Sequence, residues 1–279
     1  MTQQKDNSKT LPDFERPPVV ETVLSAQFEP ITSLQSVHFG VLWSRYSQLF
    51  PKTDERPPLE SVFERFPEEP VSRVGLKVET FEKPPIARFW FTNEQQSEMI
   101  QVQRDRFVKN WQKQGSATDY PRYEKTIRPN FDRDFRQFAE FVRQNGFGEL
   151  SVNQCEVTYV NHIVIGEGWS DLGDVEKIFT FWRNVGHLPP GPAEDLGVHI
   201  RFVIPNQSGT PIGRLHVDLR PALRSSDNRP MYVLNLTARG QIGGGLDFLD
   251  VGREWIVRSF VALTTDNMHK IWGGNNALR

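Results

Sequence analysis

Polar residues, among them histidine, arginine and aspartate, recur at every second position in three runs of the C-terminal half of this chain. His199 and Arg201 share the first run, Arg214, His216, Asp218 and Arg220 the second, and Asn235, Thr237 and Arg239 the third. Side chains two apart on a strand point to the same side. Each run therefore presents its polar residues on one face and Ile200, Phe202 and Ile204, Leu215, Val217 and Leu219, or Leu234 and Leu236 on the other. Guanidinium groups recognise carboxylate or phosphate through paired donors. His216 and Asp218 put an imidazole and a carboxylate side by side, which suits an oriented base. They would also supply two ligands of a metal site, but zinc needs more, so His199 would have to join from the next strand.

In the N-terminal half, Ile100 and Val102 alternate with Gln101, Gln103 and Asp105, which extends the same polar face. Three readings stay open for it: the wet side of an antiparallel sheet, a surface covered by a partner or second subunit, or a pocket for a small polar or anionic ligand. The ligand or interface candidates are His199, Arg201, His216, Asp218, Arg220, Asn235 and Arg239, with Gln103 and Asp105.

The other signals are weaker. Gly243-Gly244-Gly245 precedes a helical pattern, where free amides hold anions, but it reads as a connector. Neither a P-loop, a dinucleotide fingerprint nor a nucleophile elbow occurs, so no cofactor and no catalytic residue is assigned. Arg104, Arg106, Lys109 and Trp111 mix cations with an aromatic as a single-strand binder does. Asp105 and the acidic stretch 54–82 argue against that use. Glu254 and Arg258 have the spacing of a surface ion pair.

Composition bounds the rest. The 279 residues carry a net charge of −2, which gives no global pull toward nucleic acid or an anionic membrane. Arginines outnumber lysines 23 to 10, through coding bias or through recognition of planar anions. A lone cysteine, Cys155, excludes an internal disulfide and reads as a small buried residue. The first residues lack the apolar core of a secretory signal, and no apolar run approaches the roughly 18 residues of a membrane span. A cytoplasmic protein is expected.

Residues 1–15 read as a mobile polar tail. Val19 to Phe28 alternates as a strand, and Ser33 is positioned to cap a helix striped by Val37, Val41, Leu42, Tyr46 and Leu49. Residues 51–85 are rich in proline and glutamate, with short strands expected near Glu60–Phe63 and Val74–Thr80. A hairpin of Ala87–Phe91 with Met99–Phe107 follows, then a long helix from Tyr123 to Gln144. The second half repeats the order: a strand from Val152 to Ile165, a helix through Phe179, Phe181 and Trp182 capped by Asp171 or Asp174, three strands (Val198–Ile204, Arg214–Leu219 and Met231–Arg239), and a helix from Leu246 to Leu263. A short helix, Asp266–Trp272, ends the chain.

The expected fold is therefore α+β: a strand-helix-strands-helix unit written twice, over 16–148 and 149–279, forming one long, mostly antiparallel sheet with helices on one face. Each half resembles the half-unit of the TATA-binding-protein-like fold, an analogy that assigns no function. Pro17-Pro18-Val19-Val20-Glu21, Gln103-Arg104-Asp105-Arg106-Phe107, Tyr120-Pro121-Arg122-Tyr123, Glu156-Val157-Thr158-Tyr159 and Gly252-Arg253-Glu254-Trp255 carry a further resemblance. They are similar to a sporadically distributed, uncharacterised family of bacterial and archaeal proteins of about this length. That resemblance implies one full-length fold and supplies no site residue. The expected function is a non-catalytic binding or regulatory module acting through the polar face or through self-association. A protein partner or a homo-oligomer is the expected company. An enzyme acting on a small polar substrate is the alternative, and nucleic-acid binding comes third.

Overall fold

The computed structural model describes residues 11–66, 87–115, 119–183 and 194–274. The order is β1 (Val19–Phe28), α1 (Ser36–Ser44), β2 (Lys52–Arg56), β3 (Arg88–Thr92), β4 (Glu98–Gln103), β5 (Arg106–Gln112) and α2 (Arg128–Gln144). Then come β6 (Val152–Val164), α3 (Val175–Ile178), β7 (Val198–Pro205), β8 (Pro211–Leu223), β9 (Pro230–Gly240), α4 (Phe248–Leu263) and α5 (Asp266–Ile271). The nine strands form one sheet in the order β2-β3-β4-β5-β1-β6-β9-β8-β7. Every pairing in it is antiparallel. β1 and β6 lie at its centre, with β5, β4 and β3 outward from β1, and β9, β8 and β7 outward from β6.

One sheet face is apolar and carries the helices. Phe107 of β5 meets Phe131, Phe135 and Phe138 of α2 at ring distances of 5.6–5.8 Å. Phe39 of α1 stacks on Phe89 of β3 at 4.4 Å. On the other side of the centre, Gly213 and Gly240 stand opposite each other in β8 and β9. A Cβ at either position would lie within 2.6 Å of the Phe248 ring at the start of α4. Only glycine lets helix and sheet approach this closely. The helix side also buries an ion pair that the sequence reading missed. Lys109 of β5 reaches Asp134 of α2 at 2.6 Å and Glu98 at 2.9 Å.

Several elements depart from the sequence expectation. Of the expected stripe, Leu42 and Tyr46 are buried, while Val37, Val41 and Leu49 are exposed and Phe39 is buried in their place. The α1 segment is apolar on every side, so its sequence does not mark which face docks. Met99–Phe107 is not one strand, because the chain turns at Arg104-Asp105 and returns as β5. Helix α3 is a single turn, and Phe179 instead bridges to Thr264. Phe202 lies on the helix side of the edge strand β7 and is 40% exposed. Glu60–Phe63, expected as a short strand, joins no ladder, while β2 at Lys52–Arg56 was not anticipated. Val74–Thr80 lies outside the described residues. At the start of the chain, Phe14 is already buried, between Phe260 and Trp272. No helix among the described residues is long and apolar enough to cross a membrane.

Candidate functional site

Register builds the opposite face. Arg214, Arg239, Glu156, Ser25, Val108, Gln101, Trp90 and Asp54 stand side by side across eight strands. The next row places Arg201 against His216 and His216 against Thr237. A third joins His199, Asp218 and Asn235. The candidate residues of the second half thus share one face, as strand alternation requires. Gln103 and Asp105 lie on the same face in the first half. They are not solvated, however: Gln101, Gln103, Asp105 and Arg214 are all buried.

Part of the cover is the chain itself. β2 and β3 are paired neighbours, a connection that two residues suffice to make, yet residues 57–87 separate them. Pro57-Pro58 follows β2 directly. Proline lacks the N–H that a ladder needs and holds the residue before it extended, so pairing stops and the chain turns onto the sheet. Residues 59–66 then run as a strap from β4 to β8. The Gln103 side chain meets Leu59 as a neighbouring strand would. Its Oε1 accepts from Leu59 N–H and its Nε2 donates to Leu59 C=O, both at 2.9 Å. Ser61 Oγ donates to Asp105 Oδ2 at 2.5 Å. Gln27 Oε1 accepts from Val62 N–H at 3.1 Å, and Arg106 donates to Glu60 C=O at 2.9 Å.

The far end of the strap is anchored by Glu64. One carboxylate oxygen accepts from Arg214 Nη1 at 2.6 Å. The other lies 2.7 Å from His216 Nε2 and 3.4 Å from Arg239 Nη1. Arg214 Nη2 also donates to Arg65 C=O at 2.8 Å, and its guanidinium sits 4.2 Å from the Phe66 ring centre. Arg239 is shared, since its Nε donates to Glu156 at 2.7 Å. The Glu64 side chain is only 7% exposed. Burial alone would raise its carboxyl. Hydrogen bonds from His216 and Arg214 and the charges of His216 and Arg239 outweigh that and hold it below the ordinary carboxylate value.

The strap is attached through polar atoms. Leu59, Val62 and Phe63 turn their side chains outward and are about two-fifths exposed. Around it, the face keeps buried polar atoms without hydrogen-bond partners: Gln101 Oε1, Gln154 Nε2, Asn235 Oδ1, Trp90 Nε1 and the Nε atoms of Arg88 and Arg106. Buried polar groups are normally satisfied, so these atoms are donors and acceptors left open among the described residues. At the β2 end, an open cleft of about 330 Å³ is lined by Glu21, Asp54, Arg56, Trp90, Glu98 and Asn110.

The remaining candidates play smaller parts. His199 Nδ1 lies 2.6 Å from Asp218 Oδ1, with both side chains about half exposed. This pair leaves His216 to Glu64, so the expected His216–Asp218 partnership is not formed. Arg201 sits beside His216 in register, and Arg220 is exposed farther along β8. Among the described residues, no group of three or more metal-ligating side chains converges. The cation–aromatic run is split between faces: Lys109 and Trp111 lie under the helices, while Arg106 faces the strap. Cys155 is buried, and burial pushes its thiol up to about 12. Comparison with family models, with curated proteins and with solved structures finds no match to this chain.

Proposed function

We propose that the protein is a non-catalytic binding module whose polar sheet face receives an extended polypeptide segment. The observation that carries this reading is the strap: a stretch of ordinary chain already lies across the face, held by main-chain bonds to Gln103, Gln27, Arg106 and Arg214. Side chains that imitate a neighbouring strand suit any extended peptide, because they address its backbone. The unpartnered polar atoms beside the strap offer further donors and acceptors. The test is selection of ten-residue peptides from a displayed library on a full chain carrying Glu64→Lys, which frees the face. Enrichment of acidic peptides that lose binding when Arg239→Ala is added supports the module. No enrichment, or tighter binding of a single-stranded DNA decamer than of any selected peptide, overturns it.

We further infer that the two halves are copies of one unit, as the TATA-binding-protein-like analogy implies. The matched orders β1-β5-β4-β3 and β6-β9-β8-β7 support this, as do the helices that follow β1 and β5 in the first set and β6 and β9 in the second. β2 is an addition to the first half, and the connection that follows it carries the strap.

A further inference from the structure

The Glu64 pocket has the parts of a recognition site. Arg214 comes from β8 with its side chain 8% exposed, His216 from the same strand and Arg239 from β9. Two guanidinium groups and an imidazole converge on one carboxylate, and Arg214 also reads the carbonyl of the following residue. Charged side-chain donors that read a carboxylate together with the next main-chain carbonyl recognise an acidic residue within a chain, rather than a free anion. Phe66 adds an aromatic face to the guanidinium two residues on. The strap meets these requirements through Glu64-Arg65-Phe66, yet its apolar side chains Leu59, Val62 and Phe63 contribute little to the core.

Resting on the reading of the sheet face as the binding surface, we propose that Arg214, His216 and Arg239 form a carboxylate-recognition site for an acidic extended segment of a partner protein, and that Glu64 occupies it in cis as a built-in competitor. The strap and the partner segment then exclude each other. A tethered occupant acts at an effective concentration of order millimolar for a short linker, so a free peptide of equal intrinsic affinity is outcompeted. Polar attachment suits exchange, because the strap is held mainly by hydrogen bonds and ion pairs that water and a competing segment can replace.

The probe is a fluorescent synthetic peptide with the sequence Pro57 to Phe66, titrated by anisotropy against full chains. The opened chains carry Ser61→Ala with Glu64→Gln, or Glu64→Lys as a second form should the first fail to fold. The expected result is at least tenfold tighter binding to an opened chain than to wild type. That gain disappears when the peptide carries Glu64→Gln or when Arg214→Ala is added to the opened chain. Equal binding to wild type and opened chains overturns the cis competitor and leaves the binding face standing. Binding to neither overturns both.

Discussion

Glu64 and His216 lie 2.7 Å apart across 152 positions of sequence, and through that contact a loop from the first half is fastened to a strand of the second. The acid belongs to the connection after β2 and the imidazole to β8, near the opposite edge of the sheet. Their meeting turns a polar sheet face into an occupied one.

The Glu64 carboxyl gives the strap a pH signature. Its folded value lies below the ordinary 4.5, so the stabilisation is fully present above that value and fades as pH falls through the lower, folded one. The groups facing it are Arg214 and His216 from β8, Arg239 from β9 and, through Arg239, Glu156 from β6. Glu64→Gln should lower stability by about 1–3 kcal/mol near neutral pH, the cost of leaving a charged donor unpaired. The difference between wild type and variant should shrink as the medium is acidified below pH 4.5. Urea unfolding of both chains across pH 3–7 measures it, and a constant difference would remove Glu64 as its source.

Much of the second half was legible, because β7, β8 and β9 alternate cleanly between apolar and polar residues and face assignment follows from that period. In the first half β1 and the long helix ending at Gln144 were legible, but the stretch between them was not. Lys109 stands at a core position, where its alternation with apolar neighbours fails. The turn at Arg104-Asp105 lacks the glycine that marks tight hairpins. The strap left no periodic signal, since it is held by scattered polar contacts from Gln27, Gln103, Asp105, Arg106 and Arg214. Only Pro57-Pro58 and the length of the connection hinted at an excursion, and loops this long within a compact domain commonly have a function.

Close approach of α4 to the sheet depends on Gly213 and Gly240. Alanine at Gly240 would put its Cβ 2.3 Å from the Ile212 carbonyl oxygen and 2.4 Å from the Phe248 ring. Backbone cannot yield as a flexible side chain can, so Gly240→Ala should cost at least about 2 kcal/mol, toward the upper end of overpacking. At Gly252 the nearest atom is Ala238 Cβ at 3.1 Å, and alanine there should cost less. Chemical denaturation of the two variants ranks them, and the reverse order would contradict the packing described.

The ion pair beneath α2 should behave non-additively. Lys109→Met leaves Asp134 buried with only Arg133 beside it. The expected loss is about 3–5 kcal/mol. Adding Asp134→Leu removes the stranded charge, so the double variant should be less destabilised than the sum of the single variants. A double-mutant cycle by urea unfolding checks this, and strict additivity would show that the pair is not coupled.

The segments around Phe14 and Trp272 should be structural. Phe14 packs against Phe260 and Trp272, and backbone bonds join Glu15 and Arg16 to Gly273 and Trp272. Phe14→Ala and Phe260→Ala should each cost about 3–5 kcal/mol, as buried aromatics do. Truncation after Thr265, which removes buried Met268 and Trp272, should lower the melting temperature. An unchanged melting temperature would make this terminal segment a detachable element.

Hydrogen exchange at the Leu59 and Val62 amides tests the central claim most directly, since these protons are bonded to Gln103 and Gln27 only while the strap lies on the sheet. Both amides should be protected in the wild-type chain, and Arg214→Ala should speed their exchange at least tenfold while the β1 and β6 amides stay protected. Full exposure of both amides in the wild type, or protection indifferent to Arg214, would contradict a face held closed through Glu64.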